Sequence, residues 1–266
     1  LGPIPALGVN GAALGTVIAR AVGSVAGLWI AGTRRFPIRA RFGDALNLDL
    51  PLLRRILFLG GPRSLQGIVR NASRLLTIRI ISLLPDSTRA ISAYSVGMQV
   101  RMISIFVGLA FMSSAMARVG QNLGAGDPDS AEKSGWIAAG MAGILMTVVA
   151  VVLFSFPEQI MGFFTDDGGV IRMGRVFFMT IALTQPVMAV AFALGGALRG
   201  GGDPMSPFIY AGAADLLVVL VLGYLLAIPL GMGFSGIAVA IAVSALARTV
   251  PTALKFHQGK WKATRL

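Results

Sequence analysis

The chain has 266 residues, of which 55% are hydrophobic and 13% charged, with a mean hydropathy of +0.78 and a formal net charge of +12. A soluble domain carries about 25% charged residues, so this composition excludes a water-covered globule and points to an all-α polytopic membrane protein. With no cysteine and His257 as the single histidine, disulfide and thiolate chemistry are excluded, and no basic run is interleaved with aromatics as a nucleic-acid surface would require.

A bilayer core about 30 Å thick takes about 20 apolar residues per helix. Seven spans are expected, at roughly 9–32, 53–84, 89–120, 133–155, 168–198, 205–228 and 233–253. Their apolar runs are continuous rather than alternating, which argues against membrane strands. The second, third and fifth are longer than a bilayer needs and should tilt or protrude. Position 1 is Leu with no charged n-region or cleavage site. No signal peptide is expected, and the chain reads as cut rather than started.

Orientation follows from Lys and Arg. The loop holding Arg34, Arg35, Arg39, Arg41, Arg54 and Arg55 falls on one side if the spans alternate. So do Arg118, Lys133 and Arg199, and the tail with Lys255, Lys260, Lys262 and Arg265. The other side carries Asp86, Glu158, Asp166 and Asp167, with Arg89 as its clear cation. The excess of basic residues places the C-terminus in the cytoplasm and the first residue outside.

The opening "PALGVNGAALGTVIAR" returns about 225 residues later as "PLGMGFSGIAVAIAVS". Pro5, Gly8 and Gly11 answer to Pro229, Gly233 and Gly236. Both copies run from outside to inside, as matching helices of a parallel transporter repeat do. A period holding six spans predicts twelve in a complete chain.

Loop motifs sharpen this. "VGQNLGAGDPDSAEKS" follows the third span and "GALRGGGDP" the fifth, while "LGGPRSLQ", "FTDD" and "PLGMGFSG" open the second, fifth and seventh. In order and spacing these resemble the multidrug and toxic compound extrusion (MATE) family, on the side of its bacterial DNA-damage-inducible branch. The resemblance implies one lobe of a twelve-helix, two-lobe transporter. Residues 1–32 would be the last helix of the N-terminal lobe and 33–52 a cytoplasmic inter-lobe linker. Residues 53–253 would be the C-terminal six-helix lobe and 254–266 a cytoplasmic basic tail.

Within the loops, Gly120, Gly124 and Gly126 allow backbone turns barred to other residues. Gln121, Arg199 and Gly200 complete the two motifs, read as tight cytoplasmic reversals rather than ligand sites. Asp127 or Asp129 can cap the following helix, and Asp129 with Glu132 has capping-box spacing. The glycines of "GALRGGGDP" do not make a phosphate loop, because no Lys-Ser or Lys-Thr follows and no strand precedes. Pro186, after Gln185 inside the fifth span, is a candidate helix bend.

Polar residues within spans are costly in lipid and mark candidate function. Arg63, Gln66, Arg70 and Arg74 recur at helical spacing and share one stripe. Asn71 and Arg101 add polarity nearby. Arg63 is close enough to the interface to snorkel. Arg70 is too deep for that and is expected to face a cavity or a partner. Of the eleven acids, Asp215 is the one that falls mid-span. It is expected to pair with a cation, Arg70 being a candidate at comparable depth, or to stay protonated and titrate.

The resemblance implies further expectations. The family carries an intramembrane carboxylate near the place of Arg70, and its sodium-coupled branch an acid near the place of Met188. Related sequences show an Arg and a Pro where Val219 and Val221 stand. The missing acids favour H+ over Na+ as the coupling ion, Na+ being the alternative. No organic cofactor, metal site or catalytic residue is expected. The implied activity is multidrug efflux by cation-coupled antiport with alternating access, in the bacterial cytoplasmic (inner) membrane. Its partners would be membrane lipids, the missing N-terminal six-helix lobe and a small amphipathic or cationic substrate. The fragment alone should not transport. One rival is a lipid-linked oligosaccharide flippase of the same superfamily, whose anionic headgroup suits the arginines. The other is a membrane enzyme, for which convergent nucleophile, acid and base groups are wanting.

Overall fold

The structure, a computed structural model, describes residues 8–32 and 50–263. The turn at Pro5 and most of the linker expected at 33–52 lie outside the described residues. The described chain is almost wholly helical and contains no strand. It divides into two units, Leu1–Leu57 and Phe58–Leu266. In the first, α1 (Gly8–Gly32) is rich in Gly, Ala and Val and carries one charge, Arg20.

Among the described residues, four helices are long and apolar enough to cross a membrane: α3 (Ser87–Gly124), α4 (Pro128–Ser155), α8 (Met205–Ala227) and α9 (Gly233–His257). A fifth span is a broken pair, α6 (Gly168–Ala182) and α7 (Gln185–Gly200), which meet at 52°. The short α5 (Pro157–Gly162) precedes it. Against the seven spans expected, α2 (Leu50–Ile81) forms one helix of 32 residues but is too polar to count by composition. Its six arginines, at 54, 55, 63, 70, 74 and 79, are the reason. α1 has 25 residues, and its described apolar run covers Leu14–Ile30.

The break between α6 and α7 has a local cause. Proline lacks an N–H, and its ring collides with the carbonyl four residues back. Four residues before Pro186 is Ala182, where α6 ends. Thr184 Oγ1 and N–H both donate to Ile181 O, at 2.9 and 3.0 Å, closing the freed turn.

The two glycine-rich reversals share one construction. In each, Gly-Asp-Pro-x-Ser places the glycine at positive φ, 78° for Gly126 and 82° for Gly202, where a side chain would be strained. The aspartate then accepts from the serine N–H three residues on, Asp127 from Ser130 at 2.9 Å and Asp203 from Ser206 at 3.0 Å. Of the two expected caps, Asp127 is the one that forms, and the Asp129–Glu132 box does not. One expectation is corrected: α3 runs on through Gly124, leaving Gly126 as the glycine of this loop in the left-handed region. Gly120 and Gly200 are helical and serve close packing instead. A Cβ on Gly200 would fall 2.3 Å from Met116 O, and one on Gly196 2.1 Å from Met112 O. These glycines let α7 lie directly on α3.

Two apolar clusters result. One gathers Tyr94, Phe177, Phe178 and Phe234. The other joins Ala193, Ala197 and Leu198 of α7 to Val119, Ala139 and Phe256. Trp261 stacks on Phe256 with ring centroids 4.8 Å apart and donates to its carbonyl at 2.8 Å. The basic C-terminal turn is therefore anchored, and Lys262 reaches Glu132 at 2.6 Å. At the opposite end Arg89 meets Asp167 at 3.1 Å, and Arg175 meets Glu158 at 2.7 Å.

Candidate functional site: an arginine-lined cavity

A cavity of about 530 Å³ opens within the second unit, walled by α2, α3, α7, α8 and α9. Helical spacing explains its α2 wall. Residues three and four apart share a face, so Gln66, Arg70, Ser73, Arg74 and Thr77 come round together, and Asn71 joins their edge. Arg101 reaches the same space from α3 and Asp215 from α8. Sequence-selected Gln66, Arg70, Asn71, Arg74, Arg101 and Asp215 thus meet at one cavity. The side chain of Arg63 lies outside the described residues. Gly120, Gln121 and Gly124 belong to the last turns of α3 and Gly126 to the reversal after it, and none of them lines the cavity; Pro186 stands at the α6–α7 break.

Asp215 does not pair with Arg70. Its carboxylate Oδ1 accepts from Arg248 Nη2 of α9. The two side chains are 18% and 16% exposed, so the pair is shielded by the helices while touching the cavity. Arg248 Nε is buried without a hydrogen-bond partner. Asp215 lies in a π-helical segment, Ala214–Leu222, inside α8. Such segments are frequent at functional sites. Its backbone carbonyl accepts from Ser73 Oγ at 2.6 Å, which ties α2 to α8.

Arg199 has a second position besides its loop motif. It lines the cavity, donating from Nη2 to Gln66 Oε1 at 3.0 Å and from Nη1 to Met112 Sδ at 3.3 Å. Thr249 bridges α9 to α7, donating to Val187 O at 3.1 Å. Each of these contacts crosses between helices with a polar group that lipid could not satisfy.

Sequence reasoning missed Arg248. The signal was present, since Arg248 in "SALARTV" is a charge within the apolar run of α9, well before Lys255 at its end, the same anomaly that singled out Asp215. It also missed Ser73, which lies on the same α2 stripe three residues after Arg70, and Tyr94, which lines the cavity from α3 and which no sequence pattern marks.

The MatE family model matches residues 62–225. The chain is 28% identical over 260 residues to the multidrug resistance protein NorM of Burkholderia vietnamiensis, covering 96% of this chain and 55% of that protein. It is 25% identical over 266 residues to the probable multidrug resistance protein NorM of Thermotoga maritima, covering 97% and 55%. Among solved structures, a MATE P26A mutant superposes with a TM-score of 0.82 at 16% identity, over 96% of this chain and 57% of that one. An inward-facing multidrug resistance MATE family transporter of the MOP superfamily gives 0.77 at 16%, over 97% and 60%. The chain spans about half the length of the curated relatives it matches. The loop motifs, the helical architecture with its apolar spans and the match over residues 62–225 lead to one conclusion: the chain belongs to the MatE family of multi-pass membrane transporters, the multidrug and toxic compound extrusion proteins.

Proposed function

We propose that the chain forms one lobe of a two-lobe secondary transporter that exports small amphipathic molecules by cation-coupled antiport with alternating access. The observation that carries this reading is the polar cavity among helices apolar enough to span a membrane. Buried polar groups at such depth are expensive and mark substrate or ion paths. The NorM relatives are named for multidrug resistance, which favours drug export over a lipid-linked oligosaccharide flippase.

In this reading a first lobe faces the cavity, and the two lobes rock to open it to either side. The C-terminal ends of α3, α7 and α9 lie in the cytoplasm, by the excess of basic residues, and the membrane is the bacterial inner one. The coupling ion is H+ rather than Na+. A sodium ion needs several oxygen ligands, whereas the arginines of this cavity repel it and Asp215 is already engaged by Arg248. Domain boundaries at 1–32, 33–52, 53–253 and 254–266 belong to the same proposal.

The test is proton flux in everted membrane vesicles. The chain is expressed alone and together with the first half of the Burkholderia vietnamiensis relative. We expect substrate-dependent dissipation of the proton gradient, insensitive to sodium, only when both halves are present. Flux driven by the chain alone would contradict the two-lobe reading. Sodium-dependent flux would contradict the choice of ion.

A further inference from the structure

We propose that this cavity recognises amphiphiles by an anionic headgroup, a carboxylate, sulfate or phosphate, with Arg70 and Arg74 meeting the charge. The inference rests on the cavity being the substrate site, and it names the substrate class.

The charge balance is one-sided. The described lining holds five arginines, at 70, 74, 101, 199 and 248, against one carboxylate, Asp215. That carboxylate is engaged by Arg248, so it offers little to an incoming cation. Arg199 is turned to Gln66. Arg70 and Arg74 differ: both side chains are exposed, both line the cavity, and neither has an ion-pair partner among the described residues. Four residues apart on one helix, they are neighbours, and like charges at that spacing repel. An anion between them removes the repulsion and accepts from two guanidinium forks, a geometry that suits carboxylate and phosphate. A cation would meet a net of four positive charges at reduced dielectric.

The rest of the wall suits a tail. Met98, Met102, Met112, Met188 and Phe192 line it. Methionine side chains are flexible and polarisable and adapt to tails of different shape. A charged head on Arg70 and Arg74 with a hydrocarbon tail along the methionines uses both halves of the cavity.

Two fluorescent probes with the same tail test this on the purified 266-residue chain in dodecyl maltoside. One is 11-(dansylamino)undecanoate; the other ends in trimethylammonium. We expect the anion to bind at least tenfold tighter. Arg70→Gln/Arg74→Gln should weaken the anion by about tenfold or more, the usual size of a charge-assisted contact, and leave the cation within twofold. Arg70→Lys/Arg74→Lys, which keeps the charges, should retain most of the preference. Arg118→Gln, an exposed charge outside the cavity, should change nothing. Helical content by circular dichroism establishes that each variant is folded, and the Lys pair decides if the Gln pair is not. Equal or tighter binding of the cation would overturn the headgroup assignment while leaving the transporter reading intact. Binding of neither probe would overturn both the headgroup assignment and the cavity of this lobe as a substrate site. Mixed micelles containing dioleoylphosphatidylglycerol identify the source of the anion. Displacement of the undecanoate probe means a membrane lipid, and its persistence means a smaller amphiphile; either agrees with the proposed chemistry.

Discussion

Replacing Asp215 by alanine should destabilise the helical unit through the cation it leaves behind. Removing one partner of a buried ion pair costs about 3–5 kcal/mol, because the remaining charge is stranded. Here the side chains keep 16% and 18% of their exposure, so cavity water offsets part of this and the expected loss is about 2–4 kcal/mol. Arg248 Nε already lacks a partner, which limits how far the guanidinium can compensate by turning. For a unit of this size about 1 kcal/mol moves Tm by 2–4 °C, so Tm should fall by about 5–15 °C. The assay is thermal unfolding in detergent, followed by tryptophan fluorescence in a Trp29→Phe background, so that Trp136 and Trp261 report. Asp215→Leu/Arg248→Met removes both charges and should recover most of the loss, since a well-packed apolar replacement of a buried pair is near neutral. Single losses below about 0.5 kcal/mol, or losses that simply add in the double variant, would refute the pairing as an energetic link.

Gly196→Ala places a Cβ 2.1 Å from Met112 O; it should cost about 1–3 kcal/mol by forcing α7 off α3, while Gly140→Ala, with open space around it, should not destabilise in the same unfolding assay. Trp261→Ala removes a buried ring stacked on Phe256 and should lower stability by about 3–5 kcal/mol, seen as a lower Tm and faster proteolysis of the C-terminal turn. Hydrogen bonds from Ser130 hold the Asp127 carboxyl below its ordinary value. A depressed carboxylate stabilises fully above its unfolded pKa of about 3.9 and ceases to as pH falls through the folded value. The Tm gap between wild type and Asp127→Ala should therefore be constant near neutrality and shrink below about pH 4; a gap that persists in acid would show that the carboxylate is not the cap.

The helical, membrane-spanning character was legible because long apolar runs can bury in lipid in few other ways. The α2 stripe was legible too, since 3.6-residue periodicity puts Gln66, Arg70 and Arg74 on one face whatever the tertiary fold. The Asp215 partner was not. Periodicity orders side chains within a helix and says nothing of which faces meet, so Arg70 at equal depth looked as good as Arg248, which the neighbouring α9 supplies. The glycines divide in the same way. Gly126 could be assigned to the turn from its Asp-Pro sequel, whereas Gly200 belongs to a helix crossing whose reason, the Met116 carbonyl, lies elsewhere in the chain. The π segment at Asp215 leaves no mark in composition.

Cysteine accessibility tests most directly whether an aqueous cavity lies among these membrane helices, since the chain has no cysteine of its own. Asn71→Cys and Met102→Cys place thiols on the cavity wall, and Ile144→Cys places one on the outer face of α4, at a residue 72% exposed and away from the cavity. Each is reconstituted in lipid vesicles and treated with a charged, membrane-impermeant maleimide from both sides. A thiol in hydrocarbon cannot form the reactive thiolate. The account predicts rapid labelling at positions 71 and 102 and none at 144; labelling of all three alike, or of 144 alone, would contradict it.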